Sequence, residues 1–261
     1  MDSKLLSIEK ETFSYSAIEK IVIPKSVKKI LEGSFKECYN LKIIEFAPGS
    51  ELLFIDKDSF YNSSLETIEI PSNTDELKEG WCHCVSQLVH ISVSAESRRF
   101  CCYKQKMIIG KSNIENDRYD ILLFARRDID FVSIPSSIKH IDSFAFSDCY
   151  NIQSVEFEKD SELATIAYES FCYSSIRKIF IPSSVKTIGE KAFIDCKNLK
   201  KVGFDKKSNL NSIGKFSFSN SSIEKILIPS QTVLIDDNAF FQCKNLKYVK
   251  FLNESNLTSI G

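Results

Sequence analysis

The sequence predicts a β-rich solenoid, a stack of short coils that share one core, and repetition is the main evidence for it. The stretch "IPSSVKTIGEKAFIDCKNLKKVGF" returns 47 residues later as "IPSQTVLIDDNAFFQCKNLKYVKF". Pro182 and Pro229 mark this spacing, and an earlier pair, Pro24 and Pro71, shows it again. A coil this short cannot bury an apolar face alone, so stacking on its neighbours must supply the core.

Each block of 47 residues consists of two related coils, one of about 22 and one of about 25 residues. In strand segments such as "LKKVGF" and "IEKILI", the first, fourth and sixth residues are apolar. This spacing is typical of the buried face of a short strand, so we expect the second, third and fifth residues to point outward.

An aromatic residue recurs in most coils without heptad or helical spacing, which indicates one stacked column. Its predicted members are Phe13, Phe35, Phe60, Trp81, Phe146, Phe171, Phe193, Phe218 and Phe240.

Five of the nine cysteines are predicted to share one position in the longer coil. They are Cys38, Cys84, Cys149, Cys196 and Cys243, and the shorter coils place Ser16, Ser63, Ser174 and Ser221 there. Like positions are two coils apart, about 10 Å in a regular stack, which exceeds the roughly 7 Å Cα limit for a disulfide. We therefore expect buried free thiols with a structural role.

The repeated words "IPSSVKTIGEKAF" and "C-x-N-L-x-x-V-x-F" resemble the BspA-type leucine-rich repeat, over nearly the whole chain. The resemblance implies a single leucine-rich-repeat solenoid over residues 1–261. Such a solenoid is a right-handed curved coil stack with a concave parallel β-sheet and with short strands, turns or 3₁₀ segments on the convex side. Since members of this family are typically surface or secreted proteins that bind host or cell-surface proteins, the resemblance also implies adhesion or protein recognition by the concave face.

An irregular insertion interrupts the repeat between Ser94 and Phe131, because Pro71 and Pro135 are 64 residues apart instead of 47. Its apolar stretches "FCCY", "MIIG" and "YDILLFA" are separated by polar, turn-forming residues, which indicates a small antiparallel excursion. The alternative is an elaborated coil that continues the solenoid.

Composition excludes several classes of function. The 34 basic and 35 acidic residues nearly cancel, so we expect no nucleic-acid partner. The apolar run "ILLFA" is far too short to span a bilayer, and the start "MDSKLLSIEKETF" has no signal-peptide core, so the sequence alone indicates a cytoplasmic chain. There are three histidines, no Gly-rich phosphate loop and no Gly-x-Ser-x-Gly, so we predict neither an enzyme nor a cofactor.

Metal binding is the least favoured alternative. The candidate ligands are Cys82, His83, Cys84, His90, Cys101 and Cys102. Zinc sites usually use C-x₂₋₄-C spacing, whereas this region has Cys-x-Cys and Cys-Cys, so we interpret it as a divergent coil and predict no metal site.

Bases collect on the outward positions of the later strands, whereas the earlier strands carry most of the acids. We call this surface the basic strip: Arg177, Lys178, Phe180, Lys200, Lys201, Lys225, Leu227, Lys247, Tyr248 and Lys250. Phe180, Leu227 and Tyr248 could serve as apolar anchors inside a charged rim, which predicts a protein-binding site. Two alternatives remain: the charges keep an open sheet soluble, or the array is a scaffold or spacer with no specific ligand.

The sequence begins inside a repeat word and stops at "NLTSIG", midway through another. This predicts a fragment of a larger protein, or self-association through exposed solenoid ends.

Overall fold

The computed structural model describes residues 3–252 and 254–261. They form two compact units, the first extending to Tyr119 and including Leu123–Asp128, the second comprising Asp120–Leu122 and Ile129–Gly261. Each unit is a stack of coils with parallel sheets, which confirms the predicted β-solenoid. The single solenoid over residues 1–261 stays a prediction.

The first unit has two parallel sheets and a hairpin. Its strands are β1 (Ser7–Ile8), β2 (Lys20–Ile23), β3 (Lys29–Ile30), β4 (Ile43–Phe46), β5 (Phe54–Ile55), β6 (Thr67–Ile70), β7 (Glu76–Leu77), β8 (His90–Val93), β9 (Phe100–Tyr103) and β10 (Met107–Gly110). The four-residue strands β2, β4, β6 and β8 form its long-strand sheet, and the two-residue strands β1, β3, β5 and β7 form its short-strand sheet.

The second unit repeats this arrangement. Its strands are β12 (Phe131–Ile134), β13 (His140–Ile141), β14 (Ser154–Phe157), β15 (Thr165–Ile166), β16 (Lys178–Ile181), β17 (Thr187–Ile188), β18 (Lys201–Phe204), β19 (Ser212–Ile213), β20 (Lys225–Ile228), β21 (Leu234–Ile235), β22 (Tyr248–Phe251) and β23 (Ser259–Ile260). The even-numbered strands form its long-strand sheet and the odd-numbered ones its short-strand sheet. Of the convex-side elements that the resemblance implies, short strands and turns occur, and no described residue is in a 3₁₀ segment.

The insertion contains the predicted antiparallel excursion, because β9 and β10 pair as a hairpin. Its turn residues Lys104 and Gln105 both have positive φ, 49° and 55°, as the central residues of a type I′ turn do. The next strand, β11 (Ile121–Ala125), pairs in parallel with β13 through its first two residues. That part of the insertion thus continues the short-strand sheet of the second unit, as the alternative interpretation predicted.

The aromatic column forms within each unit. In the second unit, the rings of Phe171, Phe193 and Phe218 stack with centroids 4.9 and 5.1 Å apart and interplanar angles of 10° and 4°. In the first unit, Phe35 and Phe60 stack at 5.5 Å. Parallel aromatic packing along the stack follows from placing the same side chain at the same position of successive coils.

The turn around each aromatic residue is held by the next coil. Around Phe193, Lys191 and Asp195 have positive φ, 54° and 56°. These left-handed residues turn alternate N–H groups along the stack: Phe193 donates to the Ser217 carbonyl at 2.7 Å and Asp195 donates to the Ser219 carbonyl at 2.9 Å. A coil's backbone is therefore satisfied only when its neighbour is present.

One coil of the first unit differs from the prediction by one residue. Gly80 and Cys84 have positive φ, 68° and 56°, so the residue between them at the aromatic position is Cys82. The prediction that Trp81 occupies that position is wrong. The indole, one residue earlier, packs edge-on against Phe60 at 6.2 Å and 86° instead of stacking on it. Because Gly80 supplies the first left-handed residue of this turn, the register follows the glycine and not the aromatic.

Cysteines and serines alternate along the stack in a hydrogen-bonded ladder. The Cys196 thiol donates to the Phe171 carbonyl at 3.0 Å, and the Ser174 hydroxyl lies 3.4 Å from the same sulfur. Cys38 and Cys243 make the equivalent contacts. All nine cysteines are free thiols, as predicted for the five in the shared position. Complete burial is wrong for two of those five, Cys84 and Cys243, which are half-buried.

Cys84 is also not a member of the ladder. The shift at Cys82 moves Val85 into the cysteine position, and Val85 is fully buried. The hydroxyl of Ser63, on the preceding coil, is buried and has no hydrogen-bond partner among the described residues. A valine cannot replace the sulfur as a partner, so the ladder is broken at this point.

Candidate functional site

The basic strip lies on the long-strand sheet of the second unit. All ten of its residues are exposed: Arg177, Lys178, Phe180, Lys200, Lys201, Lys225, Leu227, Lys247, Tyr248 and Lys250. They belong to β16, β18, β20 and β22 or directly precede these strands. Alternation places the intervening side chains, such as Ile179 and Ile226, in the core, where they are 3% and 0% exposed. The structure thus brings the predicted residues together on one face.

Strand register arranges the strip in rows that run across the strands. Lys178 pairs with Lys201, Lys201 with Lys225, and Lys225 with Tyr248. We call Lys178, Lys201 and Lys225 the lysine row. Two residues further along the strands lies a mostly apolar row of Phe180, Gly203, Leu227 and Lys250, in which Phe180 pairs with Gly203 and Leu227 with Lys250.

The lysine row brings three like charges together on neighbouring strands. Ammonium groups directly opposite one another on neighbouring strands repel, which costs free energy. In the described part of the chain, no carboxylate lies within ion-pair distance of these three lysines. The long-strand sheet of the first unit differs, because Lys20 contacts Glu45 at 2.6 Å and Lys42 contacts Glu66 at 3.1 Å.

Phe180 forms an exposed apolar platform over Gly203. The side chain of Phe180 is 57% exposed, and a Cβ placed on Gly203 would lie 2.8 Å from its Cδ2 atom. The ring therefore covers the glycine. Leu227 and Tyr248, also exposed at 43% and 54%, extend the apolar surface. Aromatic residues are enriched among the anchors of protein interfaces, so Phe180 and Tyr248 are candidate anchors.

An acidic pocket of about 480 Å³ adjoins Phe180 near the C-terminal end of β16. Its lining includes Pro182, one base, Lys159, and four acids, Glu156, Glu158, Asp160 and Asp205. Glu158 and Asp160 follow the end of β14 and Asp205 follows the end of β18, so they lie on the other side of the platform from the lysine row, whereas Glu156 lies within β14 beside Phe180. The surface around Phe180 therefore changes from positive to negative along the strand direction.

The candidate metal ligands lie in the shifted coil, in β8 and in the hairpin strand β9. Cys82 is in the core, where burial raises the pKa of its thiol to about 12. His83 Nδ1 lies 2.8 Å from the Gly80 carbonyl oxygen and 3.4 Å from Asp58 Oδ1. Across residues 3–252 and 254–261, no three Cys, His, Asp or Glu side chains converge as a metal site requires. The spacing of Cys82, Cys84, Cys101 and Cys102 thus reflects a shifted coil beside a hairpin.

Sequence reasoning predicted Phe180 as an anchor, but it missed the packing of the ring over Gly203 and it missed the acidic pocket. A glycine at an outward strand position marks the close approach of another group, so Gly203 next to an aromatic residue in the preceding strand was the available signal. The pocket had no comparable signal, because its acidic residues come from β14, from the loop that follows it and from the loop that follows β18.

Comparison with known proteins identifies the repeat. The family model described as "BspA type Leucine rich repeat region" matches residues 6–121 and 122–247, with six copies of the repeat. The chain belongs to the BspA-type leucine-rich repeat family. Among curated proteins, none matches this sequence.

Solved bacterial leucine-rich repeat structures share the fold of this BspA-type chain. A leucine-rich repeat protein from Eubacterium ventriosum has a TM-score of 0.78 and 19% identity, over 100% of this chain and 77% of that one. A leucine rich cell surface protein from Faecalibacterium prausnitzii has a TM-score of 0.71 and 18% sequence identity, over 100% of this chain and 74% of that one. The pneumococcal vaccine antigen PcpA has a TM-score of 0.71 and 19% sequence identity, over 95% of this chain and 66% of that one.

At sequence identities this low, the similarity to these three structures shows a shared fold and nothing about function. Among the described residues there is also no helix that could cross a lipid bilayer.

Proposed function

We propose that this chain is a non-enzymatic protein-binding module that recognises its partner through the basic strip. The observation that carries the proposal is the unneutralised lysine row beside the exposed platform of Phe180. Desolvated aromatic anchors with a charged rim supply most of the binding free energy in protein interfaces, and rim charges increase association rates. The strip has both parts on one sheet.

We place this recognition at a cell surface, as adhesion or host-protein binding. Support comes from the BspA-type family and from the fold shared with a Faecalibacterium prausnitzii protein described as a cell surface protein.

A second candidate function is a spacer with no ligand of its own. The long-strand sheet of the first unit favours it for that unit, since Lys20 and Lys42 are neutralised by ion pairs. Exposed cross-strand pairs of this kind keep a sheet soluble without attracting a partner.

Capture from a cell-surface extract tests the protein-binding function. The native chain is compared with a Phe180→Ala/Tyr248→Ala variant, and with a control that removes two exposed tyrosines elsewhere, Tyr15→Ala/Tyr39→Ala. Circular dichroism verifies that all three are folded. We expect a protein retained by the native chain and the control and lost by the strip variant. Equal capture by all three, or capture by none, would leave the spacer function.

A further inference from the structure

The direction of the lysine row restricts what can bind to it. This inference rests on the proposed function and concerns the same surface. Residue type is constant across the strands, from Lys178 through Lys201 to Lys225, and changes along each strand, from Lys178 to Phe180 and from Lys225 to Leu227. A binding segment that pairs with all three lysines must therefore run across the strands.

The spacing of the row favours a helix over an extended segment. Neighbouring strands are about 4.8 Å apart, so the three lysines lie at about 0, 4.8 and 9.6 Å along a line that crosses the strands. Residues i, i+3 and i+7 of an α-helix share one face and lie at about 0, 4.5 and 10.5 Å along its axis. Same-face residues of an extended chain are about 6.8 Å apart, so the mismatch reaches about 4 Å at the third lysine.

The apolar row indicates that the partner is a protein and not a polyanion. Phe180 and Leu227 lie two residues further along their strands than the lysines, about 6.8 Å away, which is within the width of one helix. A polyanion offers the platform no apolar group. It would also bring negative charge toward the carboxylates of Glu156, Glu158 and Asp160 in the adjoining pocket.

We infer that the basic strip binds an acidic amphipathic helix of a partner protein, which lies across β16, β18 and β20. Its carboxylates, spaced i, i+3 and i+7, pair with Lys178, Lys201 and Lys225. An apolar stripe beside them packs on Phe180 over Gly203 and on Leu227.

Two labelled synthetic peptides of identical composition test the inference. In the first, Glu recurs at i, i+3 and i+7 beside a Leu stripe. In the second, the same residues alternate Glu and Leu, which suits an extended chain. Fluorescence anisotropy with the full chain at ~0.15 M ionic strength should show the helix-patterned peptide binding about 10-fold tighter, because two fewer ion pairs of up to about 1 kcal/mol form with the second.

Single substitutions locate the binding. Lys201→Gln should weaken binding of the helix-patterned peptide about threefold by removing the central pair. Gly203→Ala should weaken it with all charges present, because the new Cβ displaces the Phe180 ring. The control Lys186→Gln removes an exposed lysine before a short strand and should have no effect.

Three results would overturn the inference: no binding of the helix-patterned peptide, equal binding of both peptides, or tighter binding of a heparin-derived dodecasaccharide than of either. Insensitivity to Lys201→Gln would do the same. Each of these leaves protein binding intact if the extract experiment still shows a protein lost from the Phe180→Ala/Tyr248→Ala variant. Loss of that difference, with normal peptide binding, would overturn the proposed function alone.

Discussion

Ser63 is followed in the next coil by Val85, in a ladder where Ser16, Ser174 and Ser221 each meet a cysteine. The three ladder serines have a sulfur within 3.5 Å, whereas the Ser63 hydroxyl is buried and has no partner in the described part of the chain. An unsatisfied buried hydroxyl costs about 1–3 kcal/mol. Removing the Ser63 hydroxyl should therefore stabilise the first unit.

Ser63→Ala should raise the free energy of unfolding by about 1 kcal/mol, because it removes the unsatisfied group with little change in volume. The matched change Ser174→Ala should lower it by a similar amount, since that hydroxyl contacts Cys196. Urea unfolding midpoints would show the opposite signs. Destabilisation by both substitutions would mean that the Ser63 hydroxyl has a partner.

Buried thiols should make stability depend on alkaline pH. Burial raises the pKa of the Cys196 thiol to about 12 in the folded state, whereas an unfolded thiol has a pKa of about 8.5. The unfolded chain thus releases this proton first, so the contribution to stability is complete below about pH 8.5 and is lost as the pH rises toward 12. Urea midpoints between about pH 8 and 10.5 should fall.

Cys196→Ser is the control for this effect. A serine hydroxyl does not ionise in that range, so the fall in midpoint should be shallower for the variant than for the native chain. Parallel curves would show that Cys196 does not contribute to the pH dependence.

Two glycines with similar predicted clashes should respond differently to alanine. A Cβ on Gly214 would lie 2.7 Å from the backbone carbon of Gly189, so Gly214→Ala forces two coils apart and should cost about 1–3 kcal/mol. A Cβ on Gly203 meets the exposed Phe180 ring, which can rotate away, so Gly203→Ala should change stability by less than about 0.5 kcal/mol. Thermal midpoints distinguish them, and equal losses would contradict the account.

The hairpin of the insertion should be stabilised by conventional turn residues. Lys104 and Gln105 occupy left-handed conformations that Asn and Gly adopt more easily. Lys104→Asn/Gln105→Gly should raise the free energy of unfolding by about 0.5–1 kcal/mol. Fluorescence of Trp81, the single tryptophan, reports on the same unit during urea unfolding. A lower midpoint would show that the Lys104 contact with the Tyr103 ring, at 4.9 Å, matters more than backbone conformation.

The repeat period was enough to predict which side chains of each strand are buried, as for Ile179 and Ile226. It was not enough at Trp81, because matching residue types aligned the aromatic and overlooked the left-handed turn that Gly80 begins. The type I′ turn was not predicted either, since Lys104 and Gln105 lack its usual composition.

For the candidate site, register predicted the positions of the basic strip. Whether its lysines have acidic neighbours depends on side-chain placement across coils, which the sequence does not display. Lys20 and Lys178 occupy the same position of their strand segments in the sequence. In the structure, Lys20 contacts Glu45, whereas no carboxylate among the described residues lies within ion-pair distance of Lys178.

The alternation of cysteine and serine sets the step by which such an array can grow or shorten. Removing the single coil that carries Ser174 would bring the positions of Cys149 and Cys196 onto neighbouring coils, about 4.8 Å apart and within reach of a disulfide. Removing two coils together, a block of 47 residues, leaves each remaining ladder cysteine with a serine position on the neighbouring coil. In an oxidising environment, length variation by whole blocks avoids unwanted crosslinks, so the duplicated unit is the pair of coils and not the single coil.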